Sequence, residues 1–492
     1  MQASVVRTIQ RRAACLTGRP VRLILIGIAL LGLLDPAAAT PAARAEDNPA
    51  INCRHGLVFI SSVQGYPIEG LSASGYLDEK PDTWPILPPA VEYIPVIRLR
   101  DLPETLDPVP TWVADHPGAT WLIGDQPDNP ANDALTPEEY AARYYRLAAL
   151  IRRLDPTARL SFGSIAQPSP IRLRYLARAW DRLIALAGSR PAASALVDLW
   201  NIRAFYLDEL PGPNGSSGAG IPPGFEGDAR DAYGQVSLNE TFNVSIFQTR
   251  LISFRGWMAD QGEHQKPLWI TAYGVWPASD QILDLYSSQF IKTATTYLEN
   301  ATDPTLGLTI DGNHLIQKWF WYSLNGPVSA HGGSLFDPDQ PTSSPTPIGN
   351  YYFDYIRSIQ TRNDVLMADL KSTPLAFHGP QLLADVQVTL SFANAGNDAS
   401  GLPVTVTLWD GDPKAHGELI GTAQVNRPLP GCGTLNTANI LWNNAIPFKT
   451  HSLFAQVDLA DPPMEVNLDN NLASFEVVVR PPQIFLPLIA SK

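Results

Sequence analysis

Seven short apolar runs recur between residue 57 and about residue 355, and helical patterns separate them. The runs are LVFIS (57–61), IPVIRL (94–99), TWLIGD (120–125), RLSFGSI (159–165), LVDLWNI (196–202), LWITAYG (268–274) and WFWYSL (319–324). Runs that are apolar on both faces and alternate with helices are typical of parallel strands covered by helices. The pattern therefore predicts an α/β domain built on a parallel sheet.

The helices between the runs have clear boundary signals. Thr136, Pro137 and Glu139 supply an N-cap, a proline in the first turn and a capping box. An apolar stripe follows at positions 140, 144, 147, 151 and 154, and a second one at positions 173, 176, 180 and 184. Aromatic residues at this spacing are expected to lie in the core.

About 300 residues with this alternation suit an eight-stranded (β/α)8 TIM barrel. Seven runs leave one strand of the eight unassigned, and we expect it between Ser62 and Pro89, where the pattern is weak. Counting backwards from WFWYSL as strand 8 makes LWITAYG strand 7 and TWLIGD strand 4. A doubly wound open sheet is the alternative, disfavoured because no glycine-rich phosphate loop follows the first strand.

The pattern changes after about Thr361 to a strict alternation of apolar and polar residues. VQVTLSFANAG (386–396), PVTVTLWDG (403–411), SLFAQVDL (452–459) and ASFEVVVR (473–480) are half-buried strands by this criterion. They predict an all-β, immunoglobulin-like sandwich over residues 361–480, after a barrel over residues 46–360. The proline-bounded apolar tail, residues 481–492, is too short to span a bilayer.

The first 45 residues have the pattern of a signal peptide. Arginines precede a twelve-residue apolar run from Leu23 to Leu34, and small residues follow up to Ala45. A membrane anchor is the alternative, but about 20 apolar residues are needed to cross a bilayer. We therefore expect a secreted or cell-surface protein with no membrane span after cleavage.

Charge and cysteine content narrow the class of partner. Removal of residues 1–45 leaves 29 basic and 47 acidic side chains, a net charge of −18 that would repel nucleic acid. Cys53 and Cys432 would remain, and their spacing does not show whether they pair. No cofactor and no metal are expected.

Two of the predicted strand ends carry short sequence motifs that are similar to those of a known family. GDQPD (124–128) ends strand 4 and TAYG (271–274) ends strand 7. Over residues 55 to 357 the chain resembles an exported bacterial branch of the clan A retaining glycoside hydrolases. That resemblance implies an acid/base glutamate after strand 4, a nucleophilic glutamate on strand 7 and a tryptophan floor for the sugar on strand 8.

The chain departs from the family at both catalytic positions. The acid/base falls on Gln126 and the nucleophile on Ala272. Retaining hydrolysis needs two carboxyl groups roughly 5–5.5 Å apart, whereas an amide has no acidic proton and alanine no nucleophile. Asp125, Glu209 and Asp311 are weak candidates for relocated carboxylates.

Residues near the expected strand ends could still bind an oligo- or polysaccharide. The candidates are Asp125, Gln126, Arg98, Arg203, Tyr206, Tyr273, Trp319 and Trp321. Because Trp319 and Trp321 alternate along strand 8, one is expected to point into the barrel and the other outward.

The sandwich resembles the adhesion-related CARDB domain of bacterial surface proteins, on the segment VDLADPPMEVNLDNNLASFEV (457–477). This implies a possible role in cell-surface attachment. The leading hypothesis is an exported, non-hydrolytic carbohydrate-binding pseudoenzyme. The alternatives are an active glycoside hydrolase with relocated carboxylates and an adhesion scaffold without a sugar site. Two carboxyl groups within hydrolytic distance beside Trp321 or Trp319 would favour the hydrolase, and a mouth without inward-facing aromatics would favour the scaffold.

Overall fold

The computed structural model describes residues 51–60, 66, 68–78, 81, 91–210, 218–228, 230–234, 236–274, 283–326, 333–337, 345–460 and 465–480. The expected signal segment 1–45 and the tail 481–492 lie outside these residues, and both assignments stay predictions. Within the described chain, no helix has the length and apolar character needed to cross a membrane.

Eight parallel strands close into a barrel in sequence order, with β8 paired to β1. They are β1 (Asn52–Phe59), β2 (Ala73–Asp78), β3 (Glu92–Ile97), β4 (Thr120–Ile123), β5 (Arg159–Ile165), β6 (Leu199–Arg203), β7 (Leu268–Tyr273) and β8 (Lys318–Trp321). The predicted TIM barrel is confirmed, and the open sheet is wrong. β2 lies in the expected interval, and the backward count to strands 4 and 7 is correct.

Helices connect the strands around the outside of the barrel. They are α1 (Val109–Asp115), α2 (Pro137–Leu154), α3 (Pro170–Ala187), α4 (Arg190–Ser194), α5 (Leu238–Thr241), α6 (Val244–Asp260), α7 (Leu283–Asn300) and α8 (Pro347–Ser358). The capping box forms at the start of α2, where Thr136 and Glu139 each accept a backbone N–H of the other. Tyr140, Tyr144 and Trp180 are fully buried, as their spacing predicted.

Alternate residues of each strand face the inside of the barrel or the helices. Val58, Ile94, Leu122, Leu199 and Phe320 form the interior cluster. Gly56 makes room for the Phe320 ring, since a Cβ at position 56 would lie 2.4 Å from it. We call the end where the strands begin the base and the end where they finish the mouth; side chains of loops after the strands meet at the mouth.

The C-terminal part is a sandwich of two antiparallel sheets. One sheet has the order β13–β10–β9 and the other β12–β11–β14–β15. The strands are β9 (Val365–His378), β10 (Leu383–Asn394), β11 (Leu402–Asp410), β12 (Glu418–Leu429), β13 (Thr434–Ala445), β14 (Thr450–Leu459) and β15 (Leu472–Val478). Four of the seven strands were predicted, and the predicted all-β class is confirmed.

The base of the barrel is joined to the sandwich by covalent and polar contacts. Cys53 on β1 forms a disulfide with Cys432, with their Cα atoms 6.1 Å apart. Next to it, the fully buried Arg54 guanidinium donates to both carboxylate oxygens of Asp311 at 2.6 and 2.7 Å, and to the Ala395 carbonyl of the sandwich at 3.0 Å. The sequence left the cysteine pairing open; the fold brings the two thiols together.

Candidate functional site

The loop after β4 has its shape fixed by Asp133. The Asp133 carboxylate accepts the backbone N–H groups of Arg100 at 3.0 Å and Asp125 at 2.8 Å. Gly124 has a φ of 93°, and a Cβ there would lie 3.2 Å from the Tyr140 ring, so the bend needs glycine. Gln126 follows in a left-handed conformation with a φ of 46°. The loop is therefore rigid and holds Asp125 and Gln126 at the mouth.

Asp125 is buried between two arginines that come from other strands. Its carboxylate lies 2.5 Å from an Nη of Arg203, at the end of β6, and 3.7 Å from Nε of Arg98, just after β3. Asn132 donates a further hydrogen bond to it at 3.0 Å. Since its oxygens are occupied and it is 3% exposed, Asp125 works as an anchor for the mouth. This arrangement counts against its use as a relocated catalytic acid.

Gln126 borders a small polar hollow at the top of the barrel interior. Its Oε1 accepts a hydrogen bond from Asn129 at 2.9 Å. The hollow holds about 10 Å³, room for one water, and Arg203, Asn201 and Thr271 also line it. Asn201 Oδ1 is buried there without a hydrogen-bond partner in the described part of the chain. The hollow is therefore lined by hydrogen-bond donors and acceptors, and the carboxylate of Asp125 beside it is already paired.

Ala272, which the sequence resemblance matches to the nucleophile, lies at the same mouth. Between the Ile270–Trp319 and Tyr273–Trp321 pairs, β7 has one residue more than β8, so a β-bulge forms there. The bulge turns both Thr271 and Ala272 towards the interior. Ala272 is 1% exposed within the interior apolar cluster. Position 272 therefore presents a methyl group, which is neither a nucleophile nor a carboxyl group.

Three of the predicted sugar-binding aromatics face the surrounding helices and not the inside of the barrel. Trp319, Trp321 and Tyr273 are fully buried among the surrounding helices. Trp321 donates to the Gly333 carbonyl at 2.7 Å, and the Tyr273 hydroxyl lies 2.9 Å from Thr295 Oγ1. The expectation that one tryptophan points inward was wrong, because residues two apart on a strand share a face. Burial also raises the pKa of Tyr273.

The residues between and after those tryptophans are the ones that face inward. Phe320 fills the interior, and Tyr322, just beyond β8, packs half-buried against the same cluster. The Tyr322 ring meets Phe205, which follows β6, edge to face with centroids 5.6 Å apart. This aromatic pair at the mouth was missed in the sequence. Strand parity groups Tyr322 with Phe320 and separates it from Trp319 and Trp321.

The other two substitute carboxylates have structural partners. Glu209 is fully buried, accepts Arg172 Nε at 2.8 Å and Gln167 Nε2 at 2.8 Å, and also contacts Ser169. Arg172 forms a second buried ion pair with Asp128, so it ties the β6 loop to the β4 loop. Asp311 lies at the base, paired with Arg54. It precedes β8, and a residue before a barrel strand is at the end opposite the mouth.

Tyr206 lies beside the mouth in a cation–π stack. The Arg250 guanidinium is 3.9 Å from the centroid of the Tyr206 ring and 4.4 Å from that of Tyr233. Burial raises the pKa of Tyr206, which remains half-exposed. Its ring is therefore held in place with one part open to solvent. No group of three or more His, Cys, Asp or Glu side chains in the described residues could hold a metal ion.

No known family model matches the chain, and no curated protein does. Similar solved structures include a curdlan-specific exo-β-1,3-glucanase of glycoside hydrolase family 128 from Blastomyces gilchristii, at 15% identity and a TM-score of 0.39. An endo-β-1,3-glucanase of that family from Sorangium cellulosum has 18% identity and a TM-score of 0.38. Each alignment covers 62% of this chain and 98% of the other.

The sandwich region also has a neighbour among solved structures. A CARDB domain from Pyrococcus furiosus aligns at 18% identity with a TM-score of 0.17, covering 24% of this chain and 97% of that domain. All three likenesses describe those neighbours and carry no argument about the activity of this chain.

Proposed function

We propose that this protein is an exported carbohydrate-binding protein whose barrel binds an oligo- or polysaccharide at its mouth without cleaving it. The observation that carries the proposal is which side chains stand at the two expected catalytic positions and how the neighbouring carboxylate is paired. Gln126 and Ala272 stand at the two family positions, and the neighbouring Asp125 is buried between Arg98 and Arg203. Hydrolysis by a pair of carboxyl groups has no support from such a site.

Binding is supported by the side chains that remain at the mouth. The half-buried Tyr322, packed edge to face on the buried Phe205, offers an aromatic ring of the kind that stacks on the apolar face of a sugar ring. Gln126, Asn201 and Thr271 add amide and hydroxyl groups that both donate and accept hydrogen bonds. A few polar groups around an apolar surface are typical of small-molecule sites.

The disulfide between Cys53 and Cys432 supports the export part of the proposal. Disulfides persist in oxidising compartments and are rare in the cytosol. The signal-like segment 1–45 and the net charge of −18 after its removal agree with a secreted or cell-surface location. Fractionation and N-terminal sequencing of the mature protein test this point.

The test of the binding proposal measures affinity and hydrolysis on one glycan panel that includes β-1,3-glucan. The wild type is expected to bind a member of the panel without releasing reducing ends. Tyr322→Ala is expected to weaken that binding about tenfold, the loss of about 1.4 kcal/mol of stacking. Tyr322→Phe keeps the ring and is the matched control, with affinity close to that of the wild type.

Hydrolysis by the wild type would overturn the non-hydrolytic proposal. Absence of both binding and hydrolysis would favour the adhesion scaffold instead. The double variant Gln126→Glu/Ala272→Glu places a carboxyl group at both positions. Position 272 lies beside Arg203 of β6, whose positive charge would favour the ionised form of the new glutamate. Turnover by the double variant, with no turnover by either single variant, would support a site derived from a hydrolase. Thermal melting checks that each single variant is folded.

A further inference from the structure

A cavity of about 540 Å³ lies at the base of the barrel, at the opposite end from the proposed glycan site. Its barrel wall consists of residues at or next to the starts of strands, and its other wall is the sandwich segment from Pro430 to Leu435. The Cys53–Cys432 disulfide closes one side. This volume falls in the range of about 300–1,000 Å³ typical of ligand pockets.

The barrel wall of this cavity carries three charged side chains around one indole. Lys318 Nζ lies 2.8 Å from Glu92 Oε2, and Glu92 Oε1 accepts from Thr120 at 2.7 Å. The Trp269 ring has Lys318 Nζ at 5.2 Å and Arg159 Cζ at 5.6 Å from its centroid. Burial opposes ionisation of Glu92, but Lys318 and Arg159 hold its pKa below the ordinary value. Two cations therefore face one carboxylate.

Arg159 is the cation left without a counter-charge of its own. Glu92 is taken up by Lys318 and Thr120, while the Arg159 guanidinium makes no hydrogen bond or salt bridge to the described residues. It is half-buried and lines the cavity. A guanidinium stacked on an aromatic ring keeps its planar fork of N–H donors free for a bidentate carboxylate.

Apolar side chains from both walls line the same cavity as this guanidinium. Ile310, in the segment before β8, and Pro430 and Leu435 of the sandwich border the same space. An inorganic anion would leave this surface uncovered, whereas an organic molecule would cover it. The combination selects a ligand with a carboxylate at one end and a hydrocarbon or sugar body.

We infer that this cavity is a second binding site, for a small organic carboxylate held by Arg159 and shared between the barrel and the sandwich. The carboxylate pairs with the Arg159 fork, and the body of the ligand packs against Ile310, Pro430 and Leu435. The ligand could be a sugar acid or a non-sugar carboxylate, which share this chemistry.

The experiment titrates the intact oxidised protein by calorimetry with glucuronate and, separately, with hexanoate. At least one of them is expected to bind, and glucose, which lacks the carboxylate, is the ligand control. Arg159→Gln is expected to weaken binding at least about tenfold, the size of a charged hydrogen-bond contribution. Arg159→Lys keeps the charge but loses the fork, and an intermediate affinity is expected.

Two variants keep the result specific to this cavity. Arg153→Gln removes an exposed arginine of α2 and is expected to leave affinity unchanged. Tyr322→Ala alters the mouth and is also expected to leave carboxylate binding unchanged, so failure of the glycan site and failure of this site are distinguishable. No binding of either carboxylate, or equal affinity of Arg159→Gln and the wild type with both folded, overturns the inference.

Discussion

The two ends of this barrel use buried charge in different ways. At the mouth, one carboxylate, Asp125, is shared by Arg203 and Arg98, with distances of 2.5 and 3.7 Å. At the base, Arg54 and Asp311 form a two-point ion pair whose donor also reaches the sandwich. The mouth arrangement orders a loop, whereas the base arrangement joins two domains. Disruption of the two ion pairs is therefore expected to lower the free energy of unfolding by unequal amounts.

The largest effect is expected at the base from Asp311→Ala. This change leaves the fully buried Arg54 without its carboxylate, which costs about 3–5 kcal/mol when one partner of a buried pair is removed. Urea unfolding with and without the substitution measures the loss. Arg54→Met/Asp311→Leu is the control, expected to recover part of it because Arg54 is no longer an uncompensated charge, while the buried Arg255 still loses the attraction of Asp311. Unchanged stability of the single variant would contradict this account of the base.

A pH effect of about 3 kcal/mol is expected from His55 on β1. Burial, assisted by Lys318, lowers the pKa of His55 to about 4. Its Nδ1 donates to the Ser72 carbonyl at 3.1 Å and its Nε2 accepts from the Tyr352 hydroxyl at 2.7 Å, as suits a neutral ring. The unfolded chain binds a proton near pH 6.5, so the contribution is complete above that pH and is lost as the pH falls towards 4.

The measurement for His55 is the free energy of unfolding at several pH values from 7 to 4. His55→Gln cannot protonate, so the wild type should lose about 3 kcal/mol more than the variant over this range. Parallel curves for the two proteins would show that His55 does not titrate in this way. Comparison with the variant removes the contribution of carboxylates that titrate in the same window.

The smallest effect is expected at the mouth from Arg203→Met. Asp125 would keep Arg98 and Asn132, so the loss is about 1–3 kcal/mol, that of a hydrogen bond to a charged group. A double-mutant cycle with Asp125→Asn should show coupling between the two positions. Strictly additive losses would mean that the mouth pair is not the anchor described above. Arg153→Gln, an exposed arginine, is the control for loss of charge alone.

Local patterns in the sequence predicted most of the barrel because its strands and helices carry period and capping signals. The capping box at Thr136 and the buried stripe of α2 follow from neighbouring residues alone. β9, β12 and β13 were missed because they contain lysine, proline, glycine, asparagine or threonine where alternation of apolar residues is weak. β2 is only six residues long, and its place was predicted from the strand count instead of from its own pattern.

The site was less predictable because its contacts join distant segments. The Arg203–Asp125 pair spans 78 residues and the Arg172–Glu209 pair spans 37, and nothing in either segment marks its partner. The assignment of Trp319 and Trp321 failed for a different reason, since two residues of one strand that are two apart face the same side. The same rule puts Tyr322 on the face of Phe320, but it does not say which face is the inside of the barrel.

The link between Cys53 and Cys432 turns most of the molecule into a closed covalent ring, with a sequence separation of 379 between its ends. Every loop at the mouth that connects one barrel strand to the next belongs to that ring. A protease that cuts one such loop opens the ring without releasing a fragment, because the two new pieces stay attached through the sulfur atoms. A single cut in any of these loops therefore leaves the nicked chain as one particle.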